Sequence, residues 1–110
     1  KKMTLDEYQK TALVTAKYPE NMKVLYPVLG LCGEAGEVAE KVKKIHRDKN
    51  GVIGELDRLE LAKELGDVLW YISTCAKDLD FSLEDIAAMN ISKLKSRKER
   101  GVIHGNGDNR

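Results

Sequence analysis

The sequence predicts an all-α protein, a four-helix bundle that associates into an oligomer. Apolar residues recur at three- and four-residue spacing in four separate stretches, which is the period of an amphipathic helix. No stretch alternates at period two for long enough to predict a strand, and the run 51–54 is too short. At 110 residues the chain forms one domain, 1–110, whose core is adequate but not generous, so we expect it to associate with further copies.

The first two helices have recognisable boundaries. The first is predicted over about 4–17, from a capping box at Thr4 to a stop at Tyr18-Pro19. A turn follows. The second is predicted over about 27–50, because a proline suits its first turn and an Asn-Gly pair ends it. Its apolar stripe consists of Val28, Leu31, Ala35, Val38, Val42 and Ile45.

The third and fourth helices follow after short connections. Asp57 opens the third, which is predicted to run to about Asp80 with a single apolar stripe. Ser82 opens the fourth through a second capping box, and this helix is predicted to run to about Lys98. Residues 100–110 contain three glycines within the last ten residues, which predicts a loop or a mobile tail.

One acidic pattern occurs twice, as Glu34-Ala-Gly-Glu37-Val in the second helix and as Glu64-Leu-Gly-Asp67-Val in the third. Residues three apart lie on one face of a helix, so each copy directs two carboxylates the same way. If the two helices face each other, the four acids converge. Desolvated carboxylates repel one another unless a hard cation lies among them. The repeated pattern therefore predicts a Mg²⁺ site.

A helical wheel supports this interpretation. With Glu64 at the origin, the apolar residues of the third helix fill an arc of roughly 40° to 140°, and Asp67 lies about 60° to the other side. The second helix repeats the arrangement around Glu34, with Glu37 on the same side as Asp67. Carboxylates at the edge of an apolar stripe are partly buried, which favours a role as ligands.

Glycines accompany both acidic pairs. Gly36 and Gly66 each cost a helix roughly 1 kcal/mol relative to alanine, so we expect a neighbouring helix or a ligand to approach closely there. Gly30 and Gly33 extend this expectation upstream. A single acidic pair on a helix is usually solvated surface. Two copies with matching glycines, and with valine instead of lysine four residues after each glutamate, favour metal binding.

Composition narrows the function classes. The net charge is +1 with 34% charged residues, so no overall field favours nucleic acid or a membrane surface. No apolar run approaches the roughly 20 residues of a membrane span, and the start lacks a signal-peptide stretch, so we expect a cytoplasmic protein. Cys32 and Cys75 lack metal-site spacing and are expected to be buried free thiols. Neither acidic repeat is a Glu-x-x-His pair, which argues against di-iron.

With these acidic pairs and their surroundings, GEAGEVAEKVKK and KELGDVLWYI, the chain resembles the MazG-like nucleoside triphosphate pyrophosphohydrolases of the all-α NTP pyrophosphatase superfamily. The resemblance covers nearly the whole chain. It implies that Glu34, Glu37, Glu64 and Asp67 bind Mg²⁺, for which Mn²⁺ can substitute. It further implies that water attacks the α-phosphorus of a nucleoside triphosphate, releasing a (d)NMP and pyrophosphate, as in nucleotide-pool control. Glu34 or Glu37 is then the expected catalytic base.

The resemblance also suggests substrate-binding residues. Tyr71 resembles a family position near the phosphates, and its alternative is a partly buried aromatic between helices. Asn90, Lys93 and Arg97 lie on one face of the fourth helix and suit phosphate and sugar contacts, with a solvated basic face as the alternative. Trp70 lies off the apolar arc, so we expect a partner subunit to bury it or a base to stack on it.

Two classes of function remain open from the sequence. The first is a nucleotide pyrophosphohydrolase that forms a homodimer or a dimer of dimers, with phosphoribosyl-ATP pyrophosphohydrolase as its enzymatic alternative. The second is a catalytically silent helical module that interacts with other proteins. The glycine-rich tail is expected either to close over the product through Arg110 or His104, or to be disordered.

Overall fold

The computed structural model describes residues 2–110, and this part of the chain contains four α-helices and no strand. The helices are α1 (Leu5–Leu13), α2 (Leu25–Lys49), α3 (Glu55–Asp78) and α4 (Leu83–Arg100). A short 3-10 helix, Glu20–Met22, lies between α1 and α2. The prediction of an all-α fold is confirmed.

Capping chemistry sets both ends of α1. The Thr4 hydroxyl accepts a hydrogen bond from the Glu7 amide at 3.1 Å, and the Glu7 carboxylate accepts one from the Thr4 amide at 2.8 Å. The helix then ends at Leu13, earlier than the sequence predicted. The Thr15 amide bonds to Ala12 only three residues back, and the Thr15 hydroxyl donates to the same carbonyl. Such local bonds replace the α-helical ladder and tighten the chain into a turn.

The ends of α2 and α3 were predicted within a few residues. Pro27 lies in the first turn of α2, as predicted. Asn50 and Gly51 end the helix in the left-handed region, with φ of 53° and 78°. The start of α3 differs, because Gly54 is its N-cap and Asp57 lies inside the first turn. The Asp57 carboxylate accepts from the Gly54 amide at 3.0 Å, so it stabilises the start of the helix from within.

The two long helices, α2 and α3, form an antiparallel hairpin that is the most extensive packing unit of the chain. The contacts between them join progressively earlier residues of α2 to progressively later residues of α3. The ion pair Lys49–Asp57 lies near the connection, the Lys41–Glu64 contact lies further along, and the Tyr71 ring adjoins Gly30 beyond it. The hairpin therefore brings the two acidic repeats to the same level, so the two helices face each other there, as the metal-site prediction assumed.

A buried glutamine joins the other two helices to this hairpin. Gln9 of α1 donates through Nε2 to the carbonyls of Ser73 at 3.1 Å and Phe81 at 3.3 Å, and its Oε1 accepts from the Leu83 amide at 2.9 Å. All the polar atoms of this buried side chain thus have partners, as burial requires. The bonds fix α1 against α3 and against the start of α4.

The core within one chain is small. Among the described residues, the buried apolar side chains besides Pro27 are few: Ala12, Ile45, Ala76 and Leu83. Val28 and Ala35 of the stripe predicted for α2 are instead exposed, and so are other apolar residues that recur at helical spacing: Leu65 and Leu79 of the third helical stretch and Met89 and Leu94 of α4. The cause is geometric. In a single chain α2 and α3 pack mainly on each other and α4 makes only limited contact with α1 and α3, so the remaining faces of these helices have no covering layer.

The two cysteines differ in their exposure. Cys32 and Cys75 are both free thiols, as predicted, but Cys32 is exposed, so its predicted burial is wrong. The cause is again that no element of the same chain covers this side of α2. Within residues 2–110, no helix combines the length and the apolar character that crossing a bilayer requires.

Candidate metal centre

Three of the four predicted carboxylates converge between the two long helices. Glu34 of α2 and both Glu64 and Asp67 of α3 each offer one oxygen within 4.8 Å of the others. Glu34 and Glu64 are partly buried, whereas Asp67 is exposed. The cluster results from the antiparallel hairpin combined with the i, i+3 spacing on α3.

This group suits a small, hard divalent cation. Mg²⁺ holds oxygen ligands at about 2.1 Å, so two ligand oxygens on one ion lie roughly 3 to 4.2 Å apart. The spacing within 4.8 Å comes near that range, and small side-chain rotations would complete it. All the donors are carboxylate oxygens, which favours Mg²⁺ or Mn²⁺ over softer metals. The residues present therefore fit the divalent ion that the sequence predicts.

The surroundings of Glu34 within the cluster change its pKa. Its pKa is raised above the ordinary value, first by partial loss of water contact and then by the nearby negative charges of Asp67, Glu64 and Glu37. Lys41 of α2 offers a partial counter-charge, with its Nζ 4.0 Å from a Glu64 oxygen. Lys41 was not predicted from the sequence, although it lies seven residues after Glu34 and hence on the same helical face.

Glu37 is the predicted ligand that the three-carboxylate group does not include. Its side chain is exposed, one turn along α2 from Glu34. It is still close enough for its charge to help raise the pKa of Glu34. Its metal and catalytic roles therefore stay predictions, and its position leaves its carboxylate accessible to water.

Tyr71 lies beside the carboxylates and fills the space left by a glycine. A Cβ added to Gly30 would clash with the Tyr71 ring, so the close approach predicted for this glycine is confirmed. Burial raises the pKa of Tyr71, and Tyr26 and the negative charge of Glu34 raise it further. The phenol is therefore protonated at neutral pH, and it can act as a hydrogen-bond donor next to the acidic group.

The other glycines near the acidic pairs do not mark helix contacts within one chain. A Cβ added at Gly33, Gly36 or Gly66 would meet no described atom within 4 Å. No helix of the described part of the chain fills this space, and the expected approach of a neighbouring helix or a ligand stays a prediction there.

Trp70 lies at the edge of an aromatic group. Its ring meets the Tyr71 ring edge-on with centroids 5.0 Å apart, and its Nε1 donates to the Thr15 hydroxyl at 2.9 Å. Tyr26 lies 6.4 Å from Tyr71 and stacks on Tyr18 at 4.8 Å. Trp70 is therefore less exposed than the wheel indicated, since the turn after α1 covers part of it, which a wheel of α3 alone could not include.

Asp78, which the sequence analysis did not single out, fixes the start of α2. One of its oxygens accepts hydrogen bonds from the Tyr18 hydroxyl at 2.7 Å and from the Val24 amide at 2.9 Å. Val24 has a φ of 66°, which is unusual for a β-branched residue and costs free energy. The bonds to Asp78 hold this turn in place. The end of α3 therefore fixes where α2 begins, and with it the position of Glu34 along the hairpin.

The alkaline stability of the protein should depend on Tyr18. Burial and the hydrogen bond to Asp78 raise its pKa from 10.0 to about 12. A raised folded-state pKa stabilises the fold fully below the unfolded value, and this contribution is lost as the pH rises through the folded value. Wild type should therefore lose stability between about pH 10 and about pH 12, and Tyr18→Phe should flatten that decline in urea unfolding curves.

Tyr26→Phe is the matched control for this experiment, because it removes a phenol from the same stack without touching Asp78. An equally flat alkaline profile in Tyr26→Phe would contradict the role given to Tyr18.

The predicted polar residues of α4 form a separate group. Asn90 and Lys93 line a cavity of about 280 Å³ together with Asp108. Lys93 pairs with the Asp108 carboxylate at 2.6 Å, and Arg97 pairs with it at 3.2 Å. In the described part of the chain, the polar contacts of these two cations run to Asp108 and not to the three carboxylates. Their substrate-binding role stays a prediction.

Comparison with known proteins agrees with this architecture. Residues 25–102 match the family model of the MazG nucleotide pyrophosphohydrolase domain. The chain therefore belongs to the MazG family. Among curated proteins it is similar to the Gene 37 protein of Mycobacterium phage L5, with 51% identity over 114 residues covering 98% of this chain and 100% of the relative. No solved structure matches the chain.

The matched residues 25–102 contain all four predicted carboxylates and the polar face of α4. Membership implies nucleotide pyrophosphohydrolase activity, because the family acts on nucleoside triphosphates and typically depends on a divalent metal. The resemblance inferred from the two acidic repeats is confirmed at this level.

Proposed function

We propose that the chain is a Mg²⁺-dependent nucleoside triphosphate pyrophosphohydrolase that converts a (d)NTP and water into a (d)NMP and pyrophosphate. The observation that carries this proposal is the convergence of Glu34, Glu64 and Asp67 from two antiparallel helices. Three carboxylates at this spacing repel one another and gain most from a divalent ion, which is the partner that a triphosphate also needs. A role in controlling the nucleotide pool is consistent with this reaction.

The carboxylates divide into two roles. Glu34, Glu64 and Asp67 would hold the ion, which when bound supplies positive charge to the phosphate oxygens. Glu37 is exposed and lies outside this group, so its carboxylate is free to accept a proton from the attacking water. This geometry favours Glu37 over Glu34 as the base, because a carboxylate committed to an ion is a weaker proton acceptor.

The remaining contacts with the substrate come from two places. The Tyr71 hydroxyl, next to the acidic group, suits donation to a phosphate oxygen, and Trp70 and Tyr26 offer aromatic surface for a base. Lys93 and Arg97 suit the phosphates as a point charge and a planar fork, with Asn90 beside them for the sugar.

Self-association into a homodimer or a dimer of dimers is part of this proposal. Leu29 and Leu65, on α2 and α3, expose 60% and 56% of their surface, and Met89 and Ile91 of α4 expose 57% and 64%. So many exposed apolar side chains on a small domain favour an interface between copies. Such an interface would supply the covering layer that α2 lacks in one chain.

A panel of nucleotides tests the reaction directly. We expect pyrophosphate from one or more of the NTPs and dNTPs when Mg²⁺ is present, and none when EDTA removes the metal. Phosphoribosyl-ATP belongs in the panel because it would reveal the enzymatic alternative. Orthophosphate as the sole product would contradict attack on the α-phosphorus. No product from any of these substrates would favour the catalytically silent module.

A further inference from the structure

The segment that follows α4, residues 101–110, folds back onto the helix that precedes it. Gly101 ends α4 with a φ of 72°, and the Val102 amide bonds to the Arg97 carbonyl at 2.9 Å. Arg110 then closes the segment on itself, donating to the carbonyls of Val102 and Gly107 at 2.7 Å each. The segment is thus a closed loop in contact with α4, unlike the disordered tail that was one of the two sequence expectations.

Asp108 connects this loop to the cationic face of α4. Its carboxylate accepts from Lys93 Nζ at 2.6 Å and from Arg97 Nη2 at 3.2 Å, and its carbonyl also accepts from Arg97 Nη2. The pKa of Asp108 is lowered, first by the hydrogen bond from Lys93 and then by that from Arg97, so the carboxylate is charged at neutral pH. One acid therefore pairs with both cations that the sequence assigned to phosphate.

The contact leaves the arginine incompletely satisfied. The Arg97 side chain is only 7% exposed, and its Nε is buried without a hydrogen-bond partner among the described atoms. Both bonds to Asp108 use the same nitrogen, Nη2. A guanidinium binds oxyanions best through two nitrogens in parallel, and an unpaired buried donor is costly. A tetrahedral phosphate can bridge Nε and Nη2, whereas Asp108 in its present position does not.

We propose that Asp108 occupies a phosphate-binding site formed by Lys93 and Arg97, and that the segment 101–110 is an autoinhibitory strap which an incoming phosphate group displaces. The cavity beside Lys93, lined also by Asn90 and Asp108, provides room for the displacing group. The ligand class is a phosphoryl anion, and only its identification as nucleotide or pyrophosphate rests on the proposed function. The apparent affinity for phosphate is then reduced by the fraction of molecules in which the strap is closed.

The test measures pyrophosphate binding by titration calorimetry in EDTA, so that no divalent ion at the acidic cluster contributes. Asp108→Asn should bind pyrophosphate about fivefold more tightly than wild type, because it keeps the shape but removes the competing charge. Glu99→Gln is the matched control, since it removes one acid from the exposed end of α4 and should change nothing. Inorganic phosphate and a metal-free nucleoside triphosphate, titrated in parallel, identify which phosphate source is preferred.

Hydrogen exchange gives a second readout that a purely structural role of Asp108 would not produce. Saturating pyrophosphate should speed amide exchange at Val102 and the residues after it in wild type, because the strap opens. Slower exchange there, equal or weaker binding by Asp108→Asn, or no pyrophosphate binding by either protein would overturn the proposal. If the protein hydrolyses nucleotides but gives any of these results, the strap proposal fails and the proposed function stands. If Asp108→Asn binds pyrophosphate more tightly but no nucleotide is hydrolysed, the proposed function fails and the strap proposal stands.

Discussion

Replacing Glu34 by glutamine, or Asp67 by asparagine, is expected to reduce pyrophosphate release at least about a hundredfold, because even residues that only orient metal ligands contribute 10- to 100-fold. Each substitution keeps the size of the side chain and removes one of the charges that would hold the ion. The helices should persist, since both side chains lie at the edge of the hairpin and Asp67 is exposed. The measurement is kcat/KM with the preferred nucleotide, beside far-UV circular dichroism.

Glu40→Gln is the control for this pair. Glu40 lies on α2 and pairs with Lys43 at 3.0 Å, so the substitution removes a carboxylate from the same helix outside the cluster. Its turnover should stay close to that of wild type. Loss of activity as large in Glu40→Gln, or full activity in Asp67→Asn, would count against a metal centre at the three carboxylates.

The fold could be predicted because its signals are local. Three- and four-residue spacing gave the number of helices, and the capping boxes at Thr4 and Ser82 gave the starts of two of them. The end of α1 could not be predicted, because it depends on the Thr15 hydroxyl competing for a backbone carbonyl. The start of α3 was placed at Asp57, since a sequence alone does not distinguish an N-cap aspartate from one inside the first turn.

The candidate site could be predicted only as far as helix faces determine it. The i, i+3 spacing determines the helix face on which each pair of carboxylates lies. Which carboxylates of the two pairs meet depends on how far α2 is shifted along α3. That offset brings Glu34 to Glu64 and Asp67 and leaves Glu37 outside the group. It is set by contacts distant in sequence, such as the bond from the Val24 amide to Asp78, which no periodic pattern indicates.

Burial was the property that the sequence predicted least well. The apolar stripes of α2 and α3 are real as patterns, yet Ala35 and Leu65 are exposed in one chain. An apolar stripe indicates that a helix face is suited to packing. It does not indicate whether the surface that covers this face belongs to the same chain or to another copy. The ion pair between Asp108 and Lys93 could not be predicted either, because the segment 101–110 has no periodic pattern that would indicate its position.

Mg²⁺ is expected to raise the melting temperature by roughly 10 °C at saturation. A ligand at a hundred times its Kd stabilises the folded state by about 2.7 kcal/mol, and each kcal/mol raises the melting temperature of a domain of about 100 residues by about 4 °C. The gain has a physical source at Glu34, whose pKa is raised first by partial loss of water contact and then by the nearby negative charges, both of which a bound cation would offset. The measurement is a thermal melt followed by circular dichroism over a Mg²⁺ titration.

Screening of surface charge must be separated from binding at the cluster, because any salt weakens repulsion among exposed acids. Sodium chloride at matched ionic strength should give a small shift, and Mn²⁺ should give a shift similar to that of Mg²⁺. Glu34→Gln should melt at a temperature nearly independent of Mg²⁺, since only two carboxylates of the group remain charged. An equal Mg²⁺ shift in wild type and Glu34→Gln would mean that the ion binds elsewhere, and the assignment of the metal centre would then fail.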